Sequence, residues 1–235
     1  MTAEEIVNQL KPLGTDAYKK ILQKHGVPEP MFGVKIEELK KIQKRVKKDY
    51  RLALELYDSG IFDARYLAGL IADDLKMTKK DLHHWVEKAN CSMLSEYTVA
   101  WVAAESGHGR ELALEWIESK KESVAACGWA TISGLAATKD DSELDLNELK
   151  RLLQRVQKTI HQQPNRVRHV MNNFVFAVGS YVQALTAAAL QTAAQIGQVT
   201  VDMGGTACKV PDAAEYIQKV QKRGAIGRKR KTTKC

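Results

Sequence analysis

The sequence is short of the features that build most small folds other than helical ones. Its four cysteines (Cys91, Cys127, Cys208 and Cys235) are widely spaced with no Cys-x-x-Cys pair. That excludes a disulfide framework or a zinc knuckle and suits a reducing cytosol. Five prolines, fifteen glycines and few aromatics argue against a β-sandwich, which needs many turns. No apolar run reaches membrane length, and the opening "MTAEEIVNQL" has acids where a secretory leader would have bases. Chemical signatures are equally sparse. "MGGTACKVPDA" lacks the Gly-x-x-x-x-Gly-Lys-Ser/Thr spacing of a phosphate loop, and His83, His84 and Cys91 match no standard metal site. No Ser-His-Asp or Cys-His arrangement follows from spacing. The expectation is a cytoplasmic monomer without cofactor, metal or membrane association, nucleoid-associated if bacterial.

What is present is helical. Ala, Leu, Lys, Glu and Gln dominate, and all are strong helix formers. Periodicity predicts helices over 2–11, 15–25, 36–48, 50–58, 62–75, 78–89, 92–105, 109–119, 122–137, 145–162, 165–182 and 184–197. A last helix runs from Pro211 to Gly224, and only the "QVTVDMGG" stretch is non-helical for more than a few residues. "RLALELYDSGIFDARYLAGLIA" from Arg51 is echoed by "ELALEWIESKKESVAACGWATI" from Glu111, a 60-residue offset. Repeated helical hairpins that cannot bury a face alone stack into a solenoid. The fold class is therefore all-α, an α-solenoid with a concave groove lined by the second helix of each pair. Ala68, Gly69, Gly128, Gly134 and Gly179 would allow close helix approach there.

The net charge of +8 is unevenly placed. Eight basic residues and no acidic ones lie between Lys219 and Cys235, which leaves residues 1–218 formally neutral. This divides the chain into one helical-repeat domain, 1–218, and a basic arm, 219–235. Arg228, Lys229, Arg230 and Lys231 suit an anionic partner, most often nucleic acid. A solubilising tail is the other reading.

"RVRHVMNNFVFAVGSYV", Arg166 to Val182, has an unusual face. Val167, Met171, Phe174, Val178 and Val182 form a buried stripe at helical spacing. The opposite side carries His169, Asn172, Asn173, Phe176 and Ser180 beside Arg166 and Arg168, where Lys, Glu and Gln would be ordinary. Asn is a weak helix former, so consecutive mid-helix Asn residues need a reason. One is a hydrogen-bond network between repeats; the other is contact with phosphate, sugar or base edges in the groove.

These three stretches, with "MFGVKIEELKKIQKRVKKDY" leading into the first, resemble the DNA alkylation repair family, the HEAT-like repeat glycosylases that excise alkylated purines. The resemblance covers most of the chain. It implies a carboxylate that steadies an oxocarbenium-like sugar, aromatic faces against a cationic base and an arginine on phosphate. The family's Trp-x-x-x-Asp segment falls on "SMLSE", which puts Ser92 at the tryptophan and Glu96 at the aspartate. Its arginine falls near Cys127 and its second tryptophan near Phe176. The resemblance thus makes Glu96 the catalytic candidate and Phe176 an aromatic surface; spacing alone offers Arg166 or Arg168 for the lost arginine, and Trp101 and Trp129 are further aromatic candidates. Trp101 and Glu105 form a second Trp-x-x-x-acid pattern nine residues later on the same predicted helix, ranked second because it needs a shift of more than two turns.

The bland readings stand beside these. Glu96 near a helix start favours the macrodipole, Trp116 and Cys127 suit the core, and Trp129 fits either role. Two function classes emerge. One is a glycosylase that binds double-stranded DNA and hydrolyses the N-glycosidic bond of cationic N3- or N7-alkylated purines. The other is a non-catalytic solenoid that binds nucleic acid or protein.

Overall fold

The computed structural model describes residues 1–234. The first three helices are α1 (Ala3–Leu10), α2 (Asp16–Lys24) and α3 (Ile36–Val46). Five pairs come next: α4 (Tyr50–Asp58) with α5 (Phe62–Ile71); α6 (Lys79–Lys88) with a π-helix, π1 (Met93–Val99), that runs on into α7 (Ala100–Glu105); α8 (Gly109–Trp116) with α9 (Glu122–Thr138); α10 (Leu146–Thr159) with α11 (Asn165–Tyr181); and α12 (Thr186–Ile196) with α13 (Ala213–Lys222). No strand occurs among the described residues, only an isolated bridge between Gly14 and Val34. No single helix is long and apolar enough to cross a membrane.

Local chemistry sets many of the boundaries. Thr2, Thr15, Asp49, Thr78, Asp145 and Asp212 each accept a backbone N–H at a helix start. Two helices differ from expectation. The one expected over 62–75 stops at Ile71, and a 3-10 turn, Asp74–Lys76, comes after it. The one expected over 92–105 begins as π1, in which Leu94, Ser95, Glu96, Thr98 and Val99 all turn inward. A single apolar stripe does not register such a widened turn.

The second helices of the pairs form the inner layer: α3 touches α5, α5 touches π1, π1 and α7 touch α9, α9 touches α11, and α11 touches α13. All ten residues of α5 are buried. Small residues permit this spacing. A Cβ on Gly128 would stand 2.8 Å from the Ile117 nitrogen, so α8 and α9 meet backbone to backbone. Two apolar clusters, one from Ile6 to Cys127 and one from Ala113 to Ile217, adjoin along α8 and α9. Asp63, fully buried, accepts the Phe32 and Val34 amides at 2.6 and 2.7 Å and fixes the loop before α3.

The basic C-terminal segment is not a free arm. The expected boundary at 218/219 falls inside α13, and the residues beyond it form a strap across the inner layer. Gly227 N donates to Ser180 O at 2.9 Å and Arg230 N to Ala137 O at 2.8 Å. Thr233, 4% exposed, donates its amide to Glu105 at 2.6 Å, and Lys234 Nζ reaches Asp74 at 2.7 Å. A Cβ on Gly134 would lie 3.0 Å from Thr233 Cγ2, so this glycine opens the bed in which the strap rests. Counting charges in the segment could not show that Glu105, Asp74 and Asp141 wait for it.

Candidate functional site

Glu96 and Arg166 stand seventy residues apart in sequence and meet at the centre of the inner layer. Arg166 donates Nε to Glu96 Oε1 at 2.7 Å and Nη2 to Oε2 at 2.5 Å. Two parallel bonds of this kind form the strongest side-chain ion pair. The Glu96 side chain is 3% exposed and that of Arg166 24%. Burial holds the Glu96 carboxyl above its ordinary value, although the Arg166 bonds and charge act the other way. For Arg166, burial works against the charge, but the bond and attraction to Glu96 more than offset it and the guanidinium stays protonated. The Arg166 backbone is fixed as well, since its amide donates to Glu122 Oε1 at 2.6 Å.

Three clefts adjoin this pair: one of about 290 Å³ is lined by both Glu96 and Arg166, with Ser92, Ser95 and Glu122, and two others touch one member each. The larger, about 650 Å³, lies between α2, the start of π1, the start of α11 and the 202–208 loop, with Tyr18, Met93, Tyr97, Arg166, His169 and Met203 on its walls. The smaller, about 260 Å³, is lined by Glu96, Trp101, Asn173, Phe176, Tyr216 and Arg230 among others. Tyr97 borders both. It is 42% exposed and meets Trp101 edge-on at 5.8 Å; Trp101 in turn meets Tyr66 at 5.7 Å.

The sequence candidates are sorted accordingly. Arg166 lies beside Glu96, as expected, but as its partner and not as a guanidinium waiting for phosphate. His169 lines the larger cleft at 8% exposure. Burial, helped by the Arg166 charge, lowers its pKa to about 4, so it is neutral at pH 7. Asn173 Nδ2 lies 3.3 Å from His169 Nε2, and Asn173 faces the smaller cleft with Phe176. Phe176 is covered on one side by Tyr216, with ring centres 4.4 Å apart.

Other candidates leave the groove. Asn172 is 1% exposed and donates Nδ2 to Pro211 O at 2.9 Å, which ties the non-helical segment to α11. Its amide is the network that mid-helix Asn can supply, not a groove contact. Trp129 is 1% exposed, packed edge-on against Phe174 at 5.2 Å with the Arg155 guanidinium over its ring, so it is core. Arg168 is half-buried, borders none of these clefts and lies 3.4 Å from Asn165 Oδ1. Glu105 receives the strap, which removes Trp101–Glu105 as an alternative acid site. On the strap, Arg228, Arg230 and Lys231 are exposed, whereas Lys229 pairs with Asp141 at 2.8 Å.

Sequence reasoning missed Tyr97, Tyr216 and Asn165. Asn165 Nδ2 donates to Asp202 O at 2.8 Å and its Oδ1 accepts the Asp202 amide at 2.7 Å, which pins the wall of the larger cleft. Tyr97 carried a signal, an aromatic beside the key carboxylate. Tyr216 carried none, because its place depends on how α13 folds back.

Comparisons with known proteins agree with this architecture. The sequence pattern described as DNA alkylation repair enzyme matches residues 6–217. Uncharacterized proteins of Listeria innocua serovar 6a and Listeria monocytogenes serovar 1/2a are each 32% identical over 229 residues, covering 95% of this chain and 99% of theirs. A solved structure covers 100% of both chains with a TM-score of 0.92 at 35% identity. It is described as one of a new family of proteins related to the HEAT-like repeat DNA glycosylases, with affinity for branched DNA structures. The fold is thus a HEAT-like solenoid, and the chain belongs to the DNA alkylation repair enzyme family.

Proposed function

We propose that this protein serves DNA repair by binding branched DNA along its inner face, without hydrolysing the glycosidic bond. The observation that carries this reading is the two-point Glu96–Arg166 pair. A carboxylate that stabilises an oxocarbenium-like sugar must present uncompensated negative charge to it. Here both oxygens are held by a half-buried guanidinium, and the pair is neutral as a unit. Ser92, where the resemblance implies a tryptophan, offers no aromatic face. The affinity of the similar solved protein for branched DNA supports the binding half of the reading. The outward-facing Arg228, Arg230 and Lys231 supply cations for phosphates.

Two assays on the full chain test it. Fluorescence anisotropy at fixed salt should give a three-way junction at least tenfold tighter binding than a duplex of equal length. Incubation with DNA carrying N7-methylguanine and N3-methyladenine should release no base above the spontaneous rate. Equal affinities would remove the branch preference. Base release that disappears in Glu96→Gln would restore the glycosylase reading.

A further inference from the structure

The 3-10 turn between α5 and α6 presents an apolar residue in an unusual setting. Leu75 is 80% exposed, the most exposed large apolar residue described. Its neighbours are anchored: Asp74 is 1% and Met77 2% exposed. Asp74 is gripped from two directions, by Lys48 Nζ at 3.1 Å and Lys234 Nζ at 2.7 Å. Leu75 is therefore held out on a rigid base, not on a loose loop.

Cations surround that base. Lys44, Lys47, Lys48 and Lys234 line one open cleft of about 580 Å³ at the end of α3. Lys76 adds a fifth, 69% exposed and paired with Asp73. The carboxylates facing them are Asp73, Asp74 and Glu105, so the patch is net positive by two if all are ionised. Lys44 and Lys47 make no ion pair among the described residues. Lys47 also sits at φ 62° and ψ −141°, a backbone region that non-glycine residues rarely adopt.

We propose that Leu75 is a wedge that enters the branch point of a DNA junction while Lys44, Lys47 and Lys76 hold the phosphates on either side. The inference rests on the branched-DNA reading above. Apolar side chains flanked by cations unstack base steps in DNA, and a branch point already exposes base faces, so insertion there costs least. A continuously stacked duplex offers no such opening. Charge complementarity selects the polyanion, and the protruding leucine selects the place along it.

Because Leu75 is exposed, its replacement should leave the fold intact, which a thermal melt will verify. Leu75→Ala should weaken binding to a three-way junction about tenfold, equivalent to about 1.4 kcal/mol, and change duplex affinity less than twofold. A 2-aminopurine base at the branch point should brighten when wild type binds and stay quenched with Leu75→Ala. Leu75→Phe should restore both signals. If wild type prefers junctions but Leu75→Ala matches it in affinity and fluorescence, the wedge is overturned and the branched-DNA reading survives. If wild type shows no junction preference, the branched-DNA reading itself has failed.

Discussion

At the scale of residues, the buried pair governs stability as well as chemistry. Glu96 is 6% exposed, and removing its partner leaves a largely buried carboxylate without its two charge-assisted hydrogen bonds. Arg166→Ala should therefore lower unfolding free energy by about 3 kcal/mol, within the range for breaking a buried pair, measured by urea denaturation. His169 gives a pH signature. It stays neutral in the folded protein down to about pH 4, whereas an unfolded imidazole takes a proton near 6.5. The unfolded state then binds the extra proton as pH falls through that window. Its contribution to stability is lost from pH 6.5 downward by up to about 1.4 kcal/mol per pH unit. Between pH 7.5 and 5.0 the urea midpoint should drop less for His169→Gln than for wild type. Lys47 poses the opposite trade. Lys47→Gly should relieve its backbone and stabilise the protein by about 1 kcal/mol, yet weaken junction binding through loss of a cation.

At the scale of elements, the strap separates two uses of the same charge. Lys234 and Thr233 are committed to Asp74, Ala72 O and Glu105, so their contacts are internal. Thr233→Ala with Lys234→Ala should lower the melting temperature by several degrees and leave the salt dependence of DNA binding unchanged. A melt with unaltered midpoint would mean that the strap adds nothing to the solenoid. Much of this layer is legible in the sequence. The stripe Val167, Met171, Phe174, Val178 and Val182 is buried as its spacing requires, and most helix boundaries agree to within a few residues. The remainder is hidden for physical reasons. Asn172 is chemically right for a groove, but the carbonyl it donates to, Pro211 O, lies on a segment without periodicity. The strap reads as an arm in the sequence because lysine and arginine announce charge and not address.

At the scale of the whole molecule, binding should be read through ionic strength. Replacing Arg228, Arg230 and Lys231 by alanine should reduce the slope of log affinity against log salt by up to about 2.7, at ~0.9 for each phosphate contact. An unchanged slope would place the DNA elsewhere on the surface. The inner layer also carries one widened turn, π1. A π turn bonds i to i+5 where an α turn bonds i to i+4. Met93–Val99 therefore takes up one extra residue and aims Leu94, Ser95, Glu96, Thr98 and Val99 inward. Deleting one residue there would return the ladder to α spacing; six α residues turn through about the same angle as seven π residues, so the flanking helices would keep their phase while the side chains within the segment are re-aimed. Trp101 would stay against Tyr66, but the carboxylate at 96 would no longer face Arg166. A relative one residue shorter at this place could thus share the whole solenoid and still have its acid on a different wall, so position-by-position transfer of function across this segment has to be made in space and not along the alignment.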